Sequence, residues 1–394
     1  MSWESILQQQ SGWTVESAQE RRLSSEDALT LYNDAPLHQL MSAAHNRRIA
    51  MHGPSKVTYL VDRNINYTNV CTINCQFCSF YRPPGHDETY TQSLEEISGR
   101  IAALEEIGGV RILMQGGVNP ELPFDWYETL LSHIRTNHPS IAIDCFSPIE
   151  IEGIAEVSEL TTLEVLTRLK AAGMHGLPGG GAEMLVDDVR KDVSPKKGLP
   201  ANWLRVMEEA QSLQLTTSAT NVIGFGETNE QRIEHMRRLR SLQDASLETH
   251  GIGFTSFIAW PVQLETNSFG RRNRGKNKVL LGAGSSEYLR HVAVSRLFLD
   301  SIPNIQSSWP TMGIKTAQMA LFGGANDVGS TMMEENVVSA SGTTKFSASE
   351  VELQHVIHRA GFAPQRRDSD YVFLETPIID ANNADLPAPV PAQL

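Results

Sequence analysis

The chain has 394 residues, 40% of them hydrophobic, a formal net charge of −13 and only four cysteines. Its length suits two domains or one large barrel with extensions, and the acidic balance excludes a general binder of nucleic acid or membrane surface, since phosphate-rich partners reward excess Lys and Arg. There is no apolar run of about 18 residues to span a bilayer, no basic-then-apolar leader in MSWESILQQQSGW, and no disulfide framework, so the expected compartment is the reducing cytoplasm.

Residues 1–55 read as a helical extension, in which LSSEDALTLYNDAPLHQLMSAAHNRR opens on Ser and acidic residues before apolar positions at helical spacing. After Gly53 and Pro54 the pattern becomes short apolar runs alternating with amphipathic helices. The strand candidates are 57–68, 110–116, 141–147, 175–179, 216–224, 253–260, 305–310 and 325–330. Helical patterns such as SLEEISGRIAALEEIG and NEQRIEHMRRLRSLQD lie between them. The alternation predicts an α/β protein, a (β/α)8 TIM-type barrel over 56–345 with N-terminal helical and C-terminal extensions; a doubly wound open sheet is the alternative. Residues 262–284 are a Gly- and Arg-rich excursion, basic at 271–278, that reads as a solvated loop, with an anion-binding lid as the alternative. Residues 346–374 read as a helix–strand extension, and 375–394, rich in Pro, Ala, Asp and Asn, as a disordered tail.

Three of the four cysteines, Cys71, Cys75 and Cys78, stand in CTINCQFC directly after the first strand. A structural zinc site takes four ligands, commonly two separated pairs, and there is no second cluster here, although His86 could serve as a fourth ligand. Cys145 lies inside an apolar strand pattern where a buried free thiol is common. A 4Fe–4S cluster also takes thiolates, one per iron, and three ligands would leave one iron open. The C-terminal end of a barrel strand is where such folds assemble active sites, and Phe77, Phe80 and Tyr81 supply apolar shielding.

C-x3-C-x-aromatic-C after the first strand resembles the signature of radical S-adenosylmethionine enzymes. The resemblance implies a 4Fe–4S cluster on Cys71, Cys75 and Cys78, with S-adenosylmethionine held at the open iron by its amino and carboxylate groups. It also implies reductive release of a 5′-deoxyadenosyl radical, which calls for an electron donor such as flavodoxin or ferredoxin. MQGGVNP, with Gly116 and Gly117, is similar to the family's glycine-rich turn that meets the methionyl amino group. Glu183 and Arg190 of GGGAEMLVDDVRK match the pair that contacts the cofactor's amino-acid end, and Phe77 matches the position near its adenine. The segments DRNINYTNVC, FCSFYRPPG, RLFLDSIPNIQSSW and GANDVGSTMMEENVVSASG extend the likeness over nearly the whole chain. They resemble the radical enzymes of the futalosine route to menaquinone, the cyclic dehypoxanthinyl futalosine synthases, whose relatives are the aminofutalosine synthases and the enzymes that make the F420 deazaflavin chromophore. The implied substrate is dehypoxanthine futalosine, whose ribose C4′ would lose hydrogen and whose benzoate ring would accept the new bond.

Such a reaction requires a pocket for a carboxylated aromatic ring, exclusion of water, and a base. Asp327 is the candidate base, with a turn or helix-capping role as the competing reading; Glu334 and Glu335 follow it, and Asp144 ends the third strand. Ser147, before Pro148, is a pocket-lining or capping residue. Asn66 faces the pocket or the packing, and Trp309 and Trp260 stack on the ring or fill the core.

Overall fold

The computed structural model describes residues 1–342, 345 and 347–377. Its ten strands are β1 (Lys56–Leu60), β2 (Asp62–Ile65), β3 (Arg111–Met114), β4 (Ala142–Cys145), β5 (Gly176–Leu177), β6 (Thr216–Ile223), β7 (Phe254–Pro261), β8 (Asn304–Gln306), β9 (Asp327–Ser330) and β10 (Ala363–Arg366). Every named pairing is parallel, in the order β10-β1-β9-β8-β7-β6-β5-β4-β3-β2. β1 and β2 are two halves of one stave, separated by Val61. The lower half pairs with β9 and the upper half with β3, so the ring closes as an eight-staved barrel. The expected architecture holds, and each of the eight strand candidates contains or overlaps a strand.

Helices cross between the staves, as parallel strands require. Their starts are chemically marked: Ser93 with Glu96, Thr161 with Glu164, and Thr228 with Gln231 form reciprocal capping boxes. The N-terminal helices Ser25–Asp34 and Leu37–His52 bury Leu31, Tyr32, Leu40 and Ala44 against the helix Ser285–Phe298 and so extend the barrel's outer layer. Among the described residues no helix is long and apolar enough to cross a membrane.

The extension after residue 346 does more than append a strand. β10 pairs with β1 from Lys56↔Ala363 to Tyr59↔Arg366, below the level at which β2 meets β3, and wedges into that seam. A hairpin follows, closed where Leu374 N donates to Arg366 O (2.9 Å). Asp368 Oδ1 accepts from the backbone N–H groups of Asp370 and Val372, both 2.9 Å, an Asx-type turn. The tip crosses under the barrel: Ser369 donates to Asp144 in β4, while Asp370 meets His175 (3.1 Å) and the Thr216 hydroxyl at the start of β6. Of the tail expected to be disordered, residues 375–377 pack on this strand, with Arg366 N donating to Thr376 Oγ1 (2.8 Å); the remainder lies outside the described residues.

The 262–284 excursion departs from the solvated-loop reading. It contains a short helix, Ser268–Arg272, whose Phe269 is fully buried and sits edge-on to Phe225 at 5.4 Å between ring centres. Phe269 N donates to Gln76 O (2.7 Å) and Thr266 Oγ1 to Ser79 Oγ (2.9 Å), so the excursion is fastened to the cysteine segment by hydrogen bonds as well as by its apolar anchor. Its charged residues Arg271, Arg272, Arg274 and Lys276 remain exposed.

Candidate active site

A cavity of about 390 Å³ runs down the barrel lumen and is lined at its upper end by Cys71, Cys75 and Cys78. The loop that carries them is tied at its base, where Cys71 N donates to Arg82 O (2.9 Å) and Arg82 N to Asn69 O (2.8 Å). Three neighbours hold its sides. Thr72 N donates to Val118 O (3.1 Å), Gln76 N donates to Val193 O (3.0 Å), and Phe269 N caps Gln76 O. Val118 N points back at Cys71 Sγ (3.3 Å), the type of N–H···S contact that steadies a thiolate.

Burial pushes the Cys78 thiol up to about 12 and raises that of Cys75 as well, so both stay protonated at neutral pH until a cationic centre displaces the protons. Cys145 is fully buried in the hydrophobic core and does not line the cavity. His86, the candidate fourth zinc ligand, is exposed, its Nδ1 accepts from Glu88 N (3.1 Å), and it too lies away from the cavity. The thiols thus meet a single cavity as three soft donors with no fourth among the described residues, a set suited to a partly ligated iron–sulfur cluster.

The glycines of MQGGVNP do two jobs. Both line the cavity, and a Cβ on Gly117 would stand 2.1 Å from Val70 O and 2.7 Å from Cys71 Cβ. The turn is bare chiefly because the cysteine loop lies on it. Beneath it sits Glu150, which the sequence reading missed. It accepts from Gly116 N (2.9 Å), Tyr67 Oη (2.8 Å) and Ser147 Oγ (2.7 Å). Desolvation raises its pKa to about 7, against the pull of these three donors. The signal was present as Ser-Pro-Ile-Glu, a Ser N-cap with Glu three residues on; in the folded protein that Glu reaches across to the glycine turn. Ser147 serves both readings offered for it, capping the helix Pro148–Ser158 and lining the cavity.

Glu183 lines the cavity from a left-handed backbone position (φ 41°), a conformation that costs a non-glycine residue energy and marks functional segments. Its Oε1 accepts from the buried Lys197 Nζ (2.7 Å), and its Oε2, buried without a hydrogen bond, lies 3.7 Å from Arg190 Nη1 in an ion pair. Phe77 lines the cavity beside Phe225 (5.2 Å) with Lys197 Nζ 5.4 Å over its ring. Asn66 lines it too, with its amide donating to Gln115 O (2.9 Å).

Three expectations differ from the structure. Arg190 is buried and gives its N–H groups to the carbonyls of Gly181, Ala182, Lys197 and Gly198. With its donors so spent and its side chain outside the cavity lining, it braces the loop that carries Glu183. Asp327 stands at the start of β9 rather than at a strand's C-terminal end. Its carboxylate accepts from Thr58 Oγ1 and Arg367 Nε, both 2.6 Å, and from Gly329 N (2.6 Å); fully buried and outside the lining, it is a structural anchor and has no access to a ring proton. Trp309 is a core residue whose Nε1 donates to Ser330 O (3.1 Å), whereas Trp260 lines the cavity. Glu335 lines it as well, but its oxygens accept the backbone N–H groups of Val337, Val338 and Ser339, while Glu334 is paired with Arg63 and Arg100.

Comparison with known proteins agrees with this geometry. Residues 65–239 match the radical SAM superfamily, and residues 251–379 match the CofH/MqnC C-terminal region. The chain is 43% identical to cyclic dehypoxanthine futalosine synthase of Halalkalibacterium halodurans, across 90% of this chain and 92% of that one. It is 38% identical to the Streptomyces coelicolor protein of the same name (90% and 86% covered). It is also 36% identical to 5-amino-6-(D-ribitylamino)uracil–L-tyrosine 4-hydroxyphenyl transferase of Methanopyrus kandleri (85% and 88%). Among solved structures, methylornithine synthase shares the fold with a TM-score of 0.67 at 17% identity, covering 92% of this chain and 97% of that one. The chain belongs to the radical SAM superfamily, in the branch that carries the CofH/MqnC C-terminal region, and is an enzyme whose cofactors are a 4Fe–4S cluster and S-adenosylmethionine.

Proposed function

We propose that this enzyme converts dehypoxanthine futalosine to its cyclic product in menaquinone synthesis. The observation that carries this reading is the 43% identity to a cyclic dehypoxanthine futalosine synthase over nine-tenths of the chain, joined to a lumen that has the required parts. In this reading Cys71, Cys75 and Cys78 hold the cluster, and Glu183 Oε2, the glycine turn and Phe77 receive the amino-acid and adenine ends of S-adenosylmethionine. Bound there, the cluster and S-adenosylmethionine would supply the hydrogen-abstracting chemistry that the reaction needs at ribose C4′. The chain's own contribution is position and exclusion: a closed lumen keeps the substrate in one orientation and keeps water away from reactive carbon.

After the new bond forms, the ring has to give up one proton and one electron. The proton goes to a base and the electron to an external one-electron acceptor such as an oxidised electron carrier. Glu150, held near pKa 7 inside the lumen, is the lining carboxylate suited to exchange a proton at neutral pH, and it replaces Asp327 as our candidate. The reducing electron calls for a carrier such as flavodoxin or ferredoxin. The test is anaerobic incubation of reconstituted enzyme with S-adenosylmethionine, a reductant and dehypoxanthine futalosine. We expect 5′-deoxyadenosine together with a product lighter by two hydrogens. Turnover of the enol-ether precursor of aminofutalosine in place of that substrate would assign the enzyme to the sister reaction.

A further inference from the structure

The lower end of the lumen is lined by groups that the cofactor chemistry leaves unused. Arg111 opens β3 and spends Nε on Asp62 (3.1 Å) and Nη2 on the same carboxylate. Its Nη1 makes no hydrogen bond among the described residues and stands 3.5 Å from Asp144 Oδ2. Arg367, from the hairpin, gives Nε to Asp327 (2.6 Å) and Nη1 to Asp368 O (2.9 Å) and lies 3.8 Å over the Tyr371 ring. Its Nη2 has no partner among the described residues. The hydroxyls of Ser330 and Tyr371 are likewise buried without partners. All four residues line the cavity.

They share one level of the barrel. Arg111 is in register with Asp62, Ser330 is in register with Leu60, and Arg367 N donates to Tyr59 O (3.0 Å). A buried donor left without an acceptor is destabilising. The Ser330 and Tyr371 hydroxyls, with the guanidinium edges that open on the cavity, are therefore completed by a group rich in lone pairs, while Asp144 Oδ1 is a buried acceptor that lacks a donor at the same end. Asp62 and Asp327 each meet one guanidinium. A third carboxylate lines this end: Asp144 Oδ2 is held by the Ser369 hydroxyl and lies 3.5 Å from Arg111 Nη1, and burial raises its pKa against the pull of Arg111. Arg367 Nη2 makes no ion pair among the described residues.

Distance says which ligand reaches here. From Arg111 to Gln115 is four steps along β3, about 13 Å at strand rise, so a group seated beside Arg111 is well below the glycine turn and the thiols. It belongs to the far end of a substrate and not to the nucleotide cofactor.

We propose that Arg111 and Arg367, with the Ser330 and Tyr371 hydroxyls, form a carboxylate-binding subsite on the floor of the lumen, and that the 366–374 hairpin is thereby part of the substrate pocket. Arg forks match the two oxygens of a carboxylate. The ligand enters acid-first, its aryl body lying along the lumen toward the cofactor. The aryl part rests on the function proposed above; the acid part rests on the guanidiniums alone.

The test uses the reconstituted full-length enzyme and two probes, 3-acetylbenzoate and its methyl ester, in titration calorimetry. The acid should bind at least about 10-fold more tightly than the ester, and Arg111→Lys or Arg367→Lys should weaken the acid by about 10-fold or more while S-adenosylmethionine affinity stays unchanged. Tyr371→Phe should weaken it by a few-fold. If Arg367→Lys fails to fold for loss of its Asp327 bond, Arg111→Lys and Tyr371→Phe decide. Equal binding of acid and ester, no binding of either at millimolar concentration, or unaltered affinity in the variants overturns the subsite. Failure of the two proposals is separable. An enzyme that binds the acid through these arginines but leaves dehypoxanthine futalosine unreacted keeps the subsite and loses the reaction. One that turns the substrate over with unchanged KM in both Arg→Lys variants keeps the reaction and loses the subsite.

Discussion

The two ends of the lumen are held by different kinds of bond. At the mouth, the cysteine loop is fixed by main-chain hydrogen bonds from Cys71, Thr72, Gln76 and Phe269, together with the bare backbone of Gly117. At the floor, the hairpin continues the main-chain register of β10 on β1 and is fixed beyond it by side chains: Arg367 on Asp327, Ser369 on Asp144, Asp370 on His175. A main-chain clasp tolerates exchange of most side chains and fails where a Cβ intrudes. A side-chain clasp fails when one charged partner is removed, because the other is left buried and unpaired. The mouth should therefore be sensitive to bulk and the floor to charge.

The largest expected effect is at the thiols. Cys71→Ala, Cys75→Ala or Cys78→Ala should each abolish stable iron binding, while Cys145→Ala should retain it. Iron and sulfide content of anaerobically reconstituted protein decides, and iron lost from the Cys145 variant alone would contradict the three-ligand assignment. Next is the floor. Asp327→Asn strips a fully buried carboxylate from Arg367 and should cost about 3–5 kcal/mol in denaturant unfolding, with the folded fraction still able to take up iron. If unfolding is unchanged, the charge-held description of the floor is wrong.

Glu150 gives a pH signature. Its folded-state pKa of about 7 lies above the ordinary 4.5, so the folded protein favours the protonated acid. That contribution is full below pH 4.5 and is lost as pH rises through about 7, a change on the order of 3 kcal/mol. Glu150→Gln should remove this slope from a series of unfolding curves. A slope that survives in the variant comes from another group. Gly117→Ala should follow, since its Cβ would meet Val70 O and Cys71 Cβ; overpacking of this kind costs about 1–3 kcal/mol and should lower iron occupancy without touching a ligand. The smallest effect belongs to Arg272→Ala. It removes an exposed pair with Asp192 (2.6 Å) and should shift stability by less than about 1 kcal/mol, leaving Phe269 to hold the excursion.

Much of the barrel was legible because eight short apolar runs separated by amphipathic helices have one economical closure. The metal-binding triplet was legible because cysteines are scarce in this chain. What escaped notice was decided by partners distant in sequence. A strand was expected within 346–374, but β10, Ala-Pro-Gln-Arg, has no apolar alternation to reveal its pairing, and its place comes from backbone bonds to β1 and from the hairpin beyond it. Arg190 and Asp327 have the right chemistry for a site, but spacing does not reveal that four carbonyls consume one and that Arg367 and Thr58 consume the other. Phe269 was hidden inside a basic stretch whose charges are indeed solvated.

The divided first stave has a consequence of its own. Its upper half hands the chain on to the metal loop, and its lower half is bordered by the last described strand, just over three hundred residues away in sequence. A segment late in the sequence thus floors the tunnel at the end away from the thiols, tied to the staves by its buried Arg367–Asp327 and Ser369–Asp144 contacts. The shape of that end is set by a stretch of chain that supplies none of the metal-site thiols.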